Sequence, residues 1–145
     1  MGIIKKFSEY INESYGTGYT FRIGIDAIAI LVGTVTFDEL PASKKRKAMT
    51  YMNEVISKVK ADIPDLESKG MTVNISPELI EIENISVEDL LYVTQKLIEN
   101  WVADINVLYD NDIFSMIPWD DICDDLEGTP EFDELEEYIY HMVES

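Results

Sequence analysis

The chain has 145 residues, 46% of them hydrophobic, the size and apolar content of one globular domain with a real core. Its formal charge of −18 is unevenly spread. Residues 1–60 carry nine Lys or Arg against six Asp or Glu (+3), and residues 61–145 carry two, Lys69 and Lys96, against twenty-three (−21).

The rear field disfavours direct contact with nucleic acid and favours basic partner surfaces. A single cysteine, Cys123, excludes an internal disulfide. With one histidine, His141, a four-ligand Cys/His zinc site is excluded as well. The longest apolar run, Ala27–Gly33, falls far short of the ~20 residues of a membrane span. The N-terminus lacks a secretory pattern, so an intracellular protein is expected.

In chain order, Ile3, Phe7, Tyr10 and Ile11 share one face of an amphipathic helix over residues 3–13. Residues 15–18 (YGTG) break the pattern and read as a flexible joint. Tyr19, Phe21, Ile23 and Ile25 alternate with Thr20, Arg22, Gly24 and Asp26, a half-buried strand. The apolar run from Ile28 to Phe37 reads as a second strand, hairpinned to the first. Pro41 suits a first helical turn, and the period of Met49, Met52, Val55, Ile56 and Val59 predicts a helix to about Asp62, ended by Ile63-Pro64. Residues 71–75 and the alternation around Ile80 and Ile82 predict a second hairpin turning at Ser76-Pro77.

Ser86 with Asp89 three residues on resembles a capping box. It opens a helix over 86–109 with an apolar stripe through Val87, Leu90, Leu91, Thr94, Leu97, Ile98, Trp101, Val102, Ile105 and Leu108. Trp119, Ile122, Cys123 and Leu126 give a short helix that Gly128 stops. Thr129-Pro130 starts a last helix with Phe132, Leu135, Tyr138, Ile139 and Met142 inward. The expected fold is a single α+β domain, an antiparallel sheet of two β-hairpins packed by helices, in the order αββαββααα.

The candidate chemistry sits mostly in the last third. Residues 120–124 spell DDxxD, a pattern that holds magnesium against diphosphate in prenyl-transfer enzymes. Those enzymes need a longer, all-helical chain and a second acidic motif. Apolar Trp119, Ile122, Cys123 and Leu126 face inward, which turns Asp120, Asp121, Asp124 and Asp125 to water. A Cys123 nucleophile is disfavoured, because neighbouring carboxylates suppress the thiolate and only His141 is present as a base. His141 suits the last helical turn as a cation. Residues 44–47 (KKRK) form a basic helix face that reads as solvated, with phosphate contact or an internal contact to the acidic half as alternatives. No catalytic residue, metal ligand or cofactor is expected.

Ten carboxylates lie between Asp120 and Glu137. Like charges one turn apart cost a few tenths of a kcal/mol per pair, so their accumulation points to a charge that is wanted, or to one tolerated for solubility. Spaced along helix surfaces, they can imitate duplex phosphates, one charge per ~1.7 Å of axis.

Residues 1–13, MGIIKKFSEYINE, followed by Ser14, resemble the capsid-targeting propeptide of internal head proteins of T-even-like tailed phages. Phe7, Glu9, Tyr10 and the Ile11-Asn12-Glu13/Ser14 junction carry the likeness. The resemblance implies packaging in the prohead, trimming after Glu13 and injection with the genome. Some injected members inhibit host defences. The other reading is an ordinary helix docked through Ile3, Phe7 and Ile11.

The expected function is therefore a non-enzymatic phage accessory protein that inhibits a host defence or DNA-binding protein. It would act in the host cytoplasm, carried there in the virion, through Asp120, Asp121, Asp124, Asp125, Glu131, Glu134 and Glu137. The alternatives are a structural or assembly protein binding through apolar surface, and a small carboxylate–metal hydrolase.

Overall fold

The computed structural model describes residues 18–103 and 113–143. The expected helix at 3–13, the Glu13/Ser14 junction, and the Ile105 and Leu108 end of the stripe lie outside the described residues. The described elements are β1 (Tyr19–Gly24), α1 (Ile25–Gly33), α2 (Ala42–Ser68), β2 (Thr72–Ser76), β3 (Leu79–Ile85), α3 (Leu90–Lys96), α4 (Trp119–Leu126) and α5 (Pro130–Met142). A 3₁₀ turn at Val87–Asp89 leads into α3, and a π turn at Leu97–Trp101 continues it.

The protein is a single α+β domain with one antiparallel sheet in the order β1-β3-β2. The β2–β3 hairpin forms as expected, its turn at Pro77-Glu78 one residue beyond the Ser76-Pro77 expected, with Ile75 opposite Ile80 and Val73 opposite Ile82. The other hairpin does not exist. Residues 28–33 are helix, and β1 pairs instead with β3, placing Ile23 opposite Ile80 and Phe21 opposite Ile82. The run from Ala27 to Gly33 has no alternation, so its periodicity could not separate a buried strand from a buried helix. As helix it buries Ile25, Ile28, Ala29 and Leu31 and puts Asp26 in the first turn, where an anion is favoured. Asp26 also accepts the Phe37 backbone N–H at 2.9 Å, pinning the return to α2.

α2 also departs from expectation, running through Pro64 to Ser68. Proline removes one helical donor, but the continuation buries Leu66 completely and brings Asp65 against Tyr92 of α3. Gly70, at φ 95°, turns the chain into β2.

One face of the sheet carries Phe21, Ile23, Ile80 and Ile82 into the core. The other carries Arg22 and Glu81, paired at 2.8 Å across the strands, an exposed pair of modest worth. Trp101, 1% exposed, is among the largest buried side chains, and its Nε1 donates to Asp62 Oδ2 at 2.8 Å. Asp62 also accepts from Asn100 Nδ2 at 3.3 Å and faces Lys96 Nζ at 3.5 Å, so one carboxylate ties α2 to the π turn. Ser86 does not cap as the box predicts. Its hydroxyl donates to Asp89 Oδ2 at 3.1 Å, while its carbonyl takes the Asp89 N–H.

Gly18 belongs to the packing, contrary to its reading as part of a joint. A Cβ there would sit 2.6 Å from the backbone of Asn84 and Ile85, where β3 bulges and Asn84 takes φ 65°. Gly18→Ala should therefore lose about 1–3 kcal/mol in urea unfolding. Gly24→Ala, whose Cβ meets only ordinary contacts, should be close to neutral. Equal losses in the two variants would contradict the close approach.

Candidate protein-binding surface on the last two helices

The α4–α5 pair is built from its inner side outward. Ile122, Phe132, Leu135 and Ile139 are buried. Trp119 stacks on Phe114 (ring centroids 4.5 Å) and on Phe132 (5.4 Å), fastening the start of α4 to α5. Gly128, at φ 91°, turns the chain between the helices. The Thr129 hydroxyl then caps α5 by accepting the Phe132 N–H at 3.2 Å, with Pro130 at the first helical position. This follows the pattern of residues 128–130.

Anchoring of the apolar side fixes where the acids go. Asp120, Asp121, Asp124, Asp125, Glu127, Glu131, Asp133, Glu134 and Glu137 are all exposed, and Glu136 is half-buried. All seven carboxylates expected to bind a partner are thus on the surface of one helix pair. The two cations of residues 61–145 lie elsewhere: Lys96 faces Asp62, and Lys69 sits 4.9 Å from the Tyr92 ring centre. Among the described residues, no three His, Cys, Asp or Glu converge as a metal site.

Asp125, exposed as expected, also accepts the Tyr19 hydroxyl at 2.9 Å, joining the β1 edge to α4. Two expectations need correction. Met142 is 42% exposed rather than inward, and Tyr140, 46% exposed, meets the Phe114 ring edge-on at 6.0 Å. Cys123 is half-buried, not fully so. Burial pushes its thiol pKa up, and Glu127, Asp120, Glu136 and Asp124 add to the shift, which disfavours the thiolate.

A cleft of about 460 Å³, with no local signal in the sequence, opens at one end of this surface, lined by Gly18, Tyr19 and Thr20 of the β1 end, by Ile85 and Val87, and by Pro118, Asp121 and Asp125. A second groove of about 370 Å³, lined by Phe114, Ile117, Trp119 and Asp120, shares Pro118 and Asp121 with it.

Tyrosine–carboxylate bonds recur as ties between elements: Tyr19–Asp125, Tyr92–Asp65 and Tyr138–Glu99. Burial, then the bond to Asp125, raises Tyr19; burial, then the bond to Glu99, raises Tyr138. The bond to Asp65, aided by burial, pushes Tyr92 up to about 12. A pKa raised above the ordinary phenol value of about 10 contributes stability that is complete below pH ~10 and lost as pH climbs through the folded value. Unfolding free energy should therefore fall between about pH 10 and 12. Tyr92→Phe should shallow that fall, and an unchanged alkaline slope would show that the bond contributes nothing.

A scan against protein-family models and searches of curated proteins and of solved structures gave no match.

Proposed function

We propose that this chain is a non-enzymatic binding protein that occupies a basic site on another protein with the carboxylates of α4 and α5. The observation that carries this reading is the set of nine exposed acids between Asp120 and Glu137, with the only two cations of the second half engaged on other helices. Such a field attracts basic surfaces over a Debye length and competes with DNA for them. The likeness of residues 1–14 to a capsid-targeting propeptide supplies the setting. A phage would carry the protein in its head, trim it between Glu13 and Ser14, and deliver it against a host defence or DNA-binding protein.

Charge reversal tests the surface. Asp120→Lys, Asp124→Lys and Glu134→Lys together should abolish inhibition of DNA binding by a susceptible host nuclease while the fold persists by circular dichroism. Unchanged inhibition would overturn the reading. Mass spectrometry of protein from virions tests the setting: it should find Ser14 as the first residue, and an intact Met1 or Gly2 start would retire the propeptide.

A second reading, assembly through apolar surface, is favoured by one observation: Tyr140 and Met142 lie exposed on α5, Tyr140 against Phe114. Tyr140→Ser and Met142→Ser would weaken that association, and salt would not.

A further inference from the structure

We infer that the cleft between the start of β1 and α4 is a socket for an arginine side chain of a basic protein partner. The inference rests on the acidic-surface reading and names the group that its partner inserts. Val87 and Pro118, both half-buried, give the cleft apolar lining against which the methylene stem of an arginine can lie. Asp121 and Asp125, one helical turn apart on α4, form its acidic wall. The Tyr19 hydroxyl holds Asp125 by one oxygen, Oδ2, at 2.9 Å, and leaves Oδ1 for an incoming donor.

Among the described residues, Arg22 is the one cation lining the cleft; its Nε is turned to Glu81 at 2.8 Å, and no described ion pair holds Asp121 or Asp125. A planar fork of five donors meets carboxylates edge-on with paired, parallel hydrogen bonds, whereas an ammonium group offers three donors from a single point. The volume, about 460 Å³, exceeds one side chain and admits the flanking backbone of the partner segment.

The test is a residue-resolved NMR titration of the full chain with the peptide acetyl-Gly-Arg-Gly-amide, beside its lysine and citrulline counterparts. Citrulline keeps the shape of arginine and removes the charge. Saturable shifts should gather at Tyr19, Val87 and Asp121, with citrulline binding about tenfold more weakly. Asp121→Asn should weaken the arginine peptide about fivefold, whereas Glu67→Gln, the same charge change on the far end of α2, should leave it within about twofold.

Shifts spread evenly over the α5 acids would overturn the socket, as would equal binding of lysine or citrulline, or an unaffected Asp121→Asn protein. If the socket fails but inhibition still responds to charge reversal on α4 and α5, the acidic-surface reading stands alone. If the arginine peptide seats in the cleft while charge reversal leaves inhibition untouched, the socket stands and that reading falls.

Discussion

Trp101→Ala should be the most damaging single substitution in this protein, removing about 3–5 kcal/mol of folding stability. The indole is 1% exposed, and its ring fills the space where α2 meets the π turn that ends α3. Truncation leaves a cavity that the surroundings relax into only in part. It also takes from Asp62 the 2.8 Å bond of the indole N–H, leaving Asn100 and Lys96 as its remaining partners. Small domains have total stabilities of about 5–15 kcal/mol, so the variant should be partly unfolded at moderate urea. Trp101→Phe keeps most of the ring and loses the donor, and should cost about 1–3 kcal/mol. A loss below about 1 kcal/mol for the alanine variant would mean that the indole is not part of the core.

Neutralising the acidic surface should move stability and binding in opposite directions. In the combined variant Asp120→Asn, Asp124→Asn, Glu131→Gln and Glu134→Gln, pairs of like charges within one turn are relieved, at a few tenths of a kcal/mol each. Melting temperature should rise by a few degrees. Affinity for a basic partner should fall by about a hundredfold, mostly through slower association, because the four lost charges are those that steer encounter. A surface kept only for solubility predicts another pattern: the variant would precipitate more readily and bind as before. Gain in stability with loss of function is the mark of residues retained at a folding cost.

Much of the fold was legible because local chemistry agreed with it. Pro77 between two alternating runs placed the β2–β3 hairpin, and Gly128-Thr129-Pro130 placed both the end of α4 and the start of α5. The acidic surface followed from the period of Trp119, Ile122 and Leu126. The misreadings have physical causes. Residues 25–33 are apolar without alternation, and only the pairing of β1 with the distant β3 decides between strand and helix. Pro64 reads locally as a stop, because the tertiary gain from burying Leu66 two residues later has no signal in the adjacent sequence. Gly18 looked like a hinge, since nothing adjacent in sequence reveals the backbone of Asn84 and Ile85 against it. The cleft was beyond reach for the same reason. Its decisive contact joins Tyr19 to Asp125, 106 positions apart.

The most direct measurement is the affinity of the full chain for a susceptible DNA-binding nuclease, followed by fluorescence anisotropy as salt rises from about 0.01 M to 1 M. Over that range the screening length shrinks from about 30 Å to 3 Å. A surface of exposed carboxylates predicts a steep, continuous loss of affinity; an affinity that stays level across the titration would contradict it.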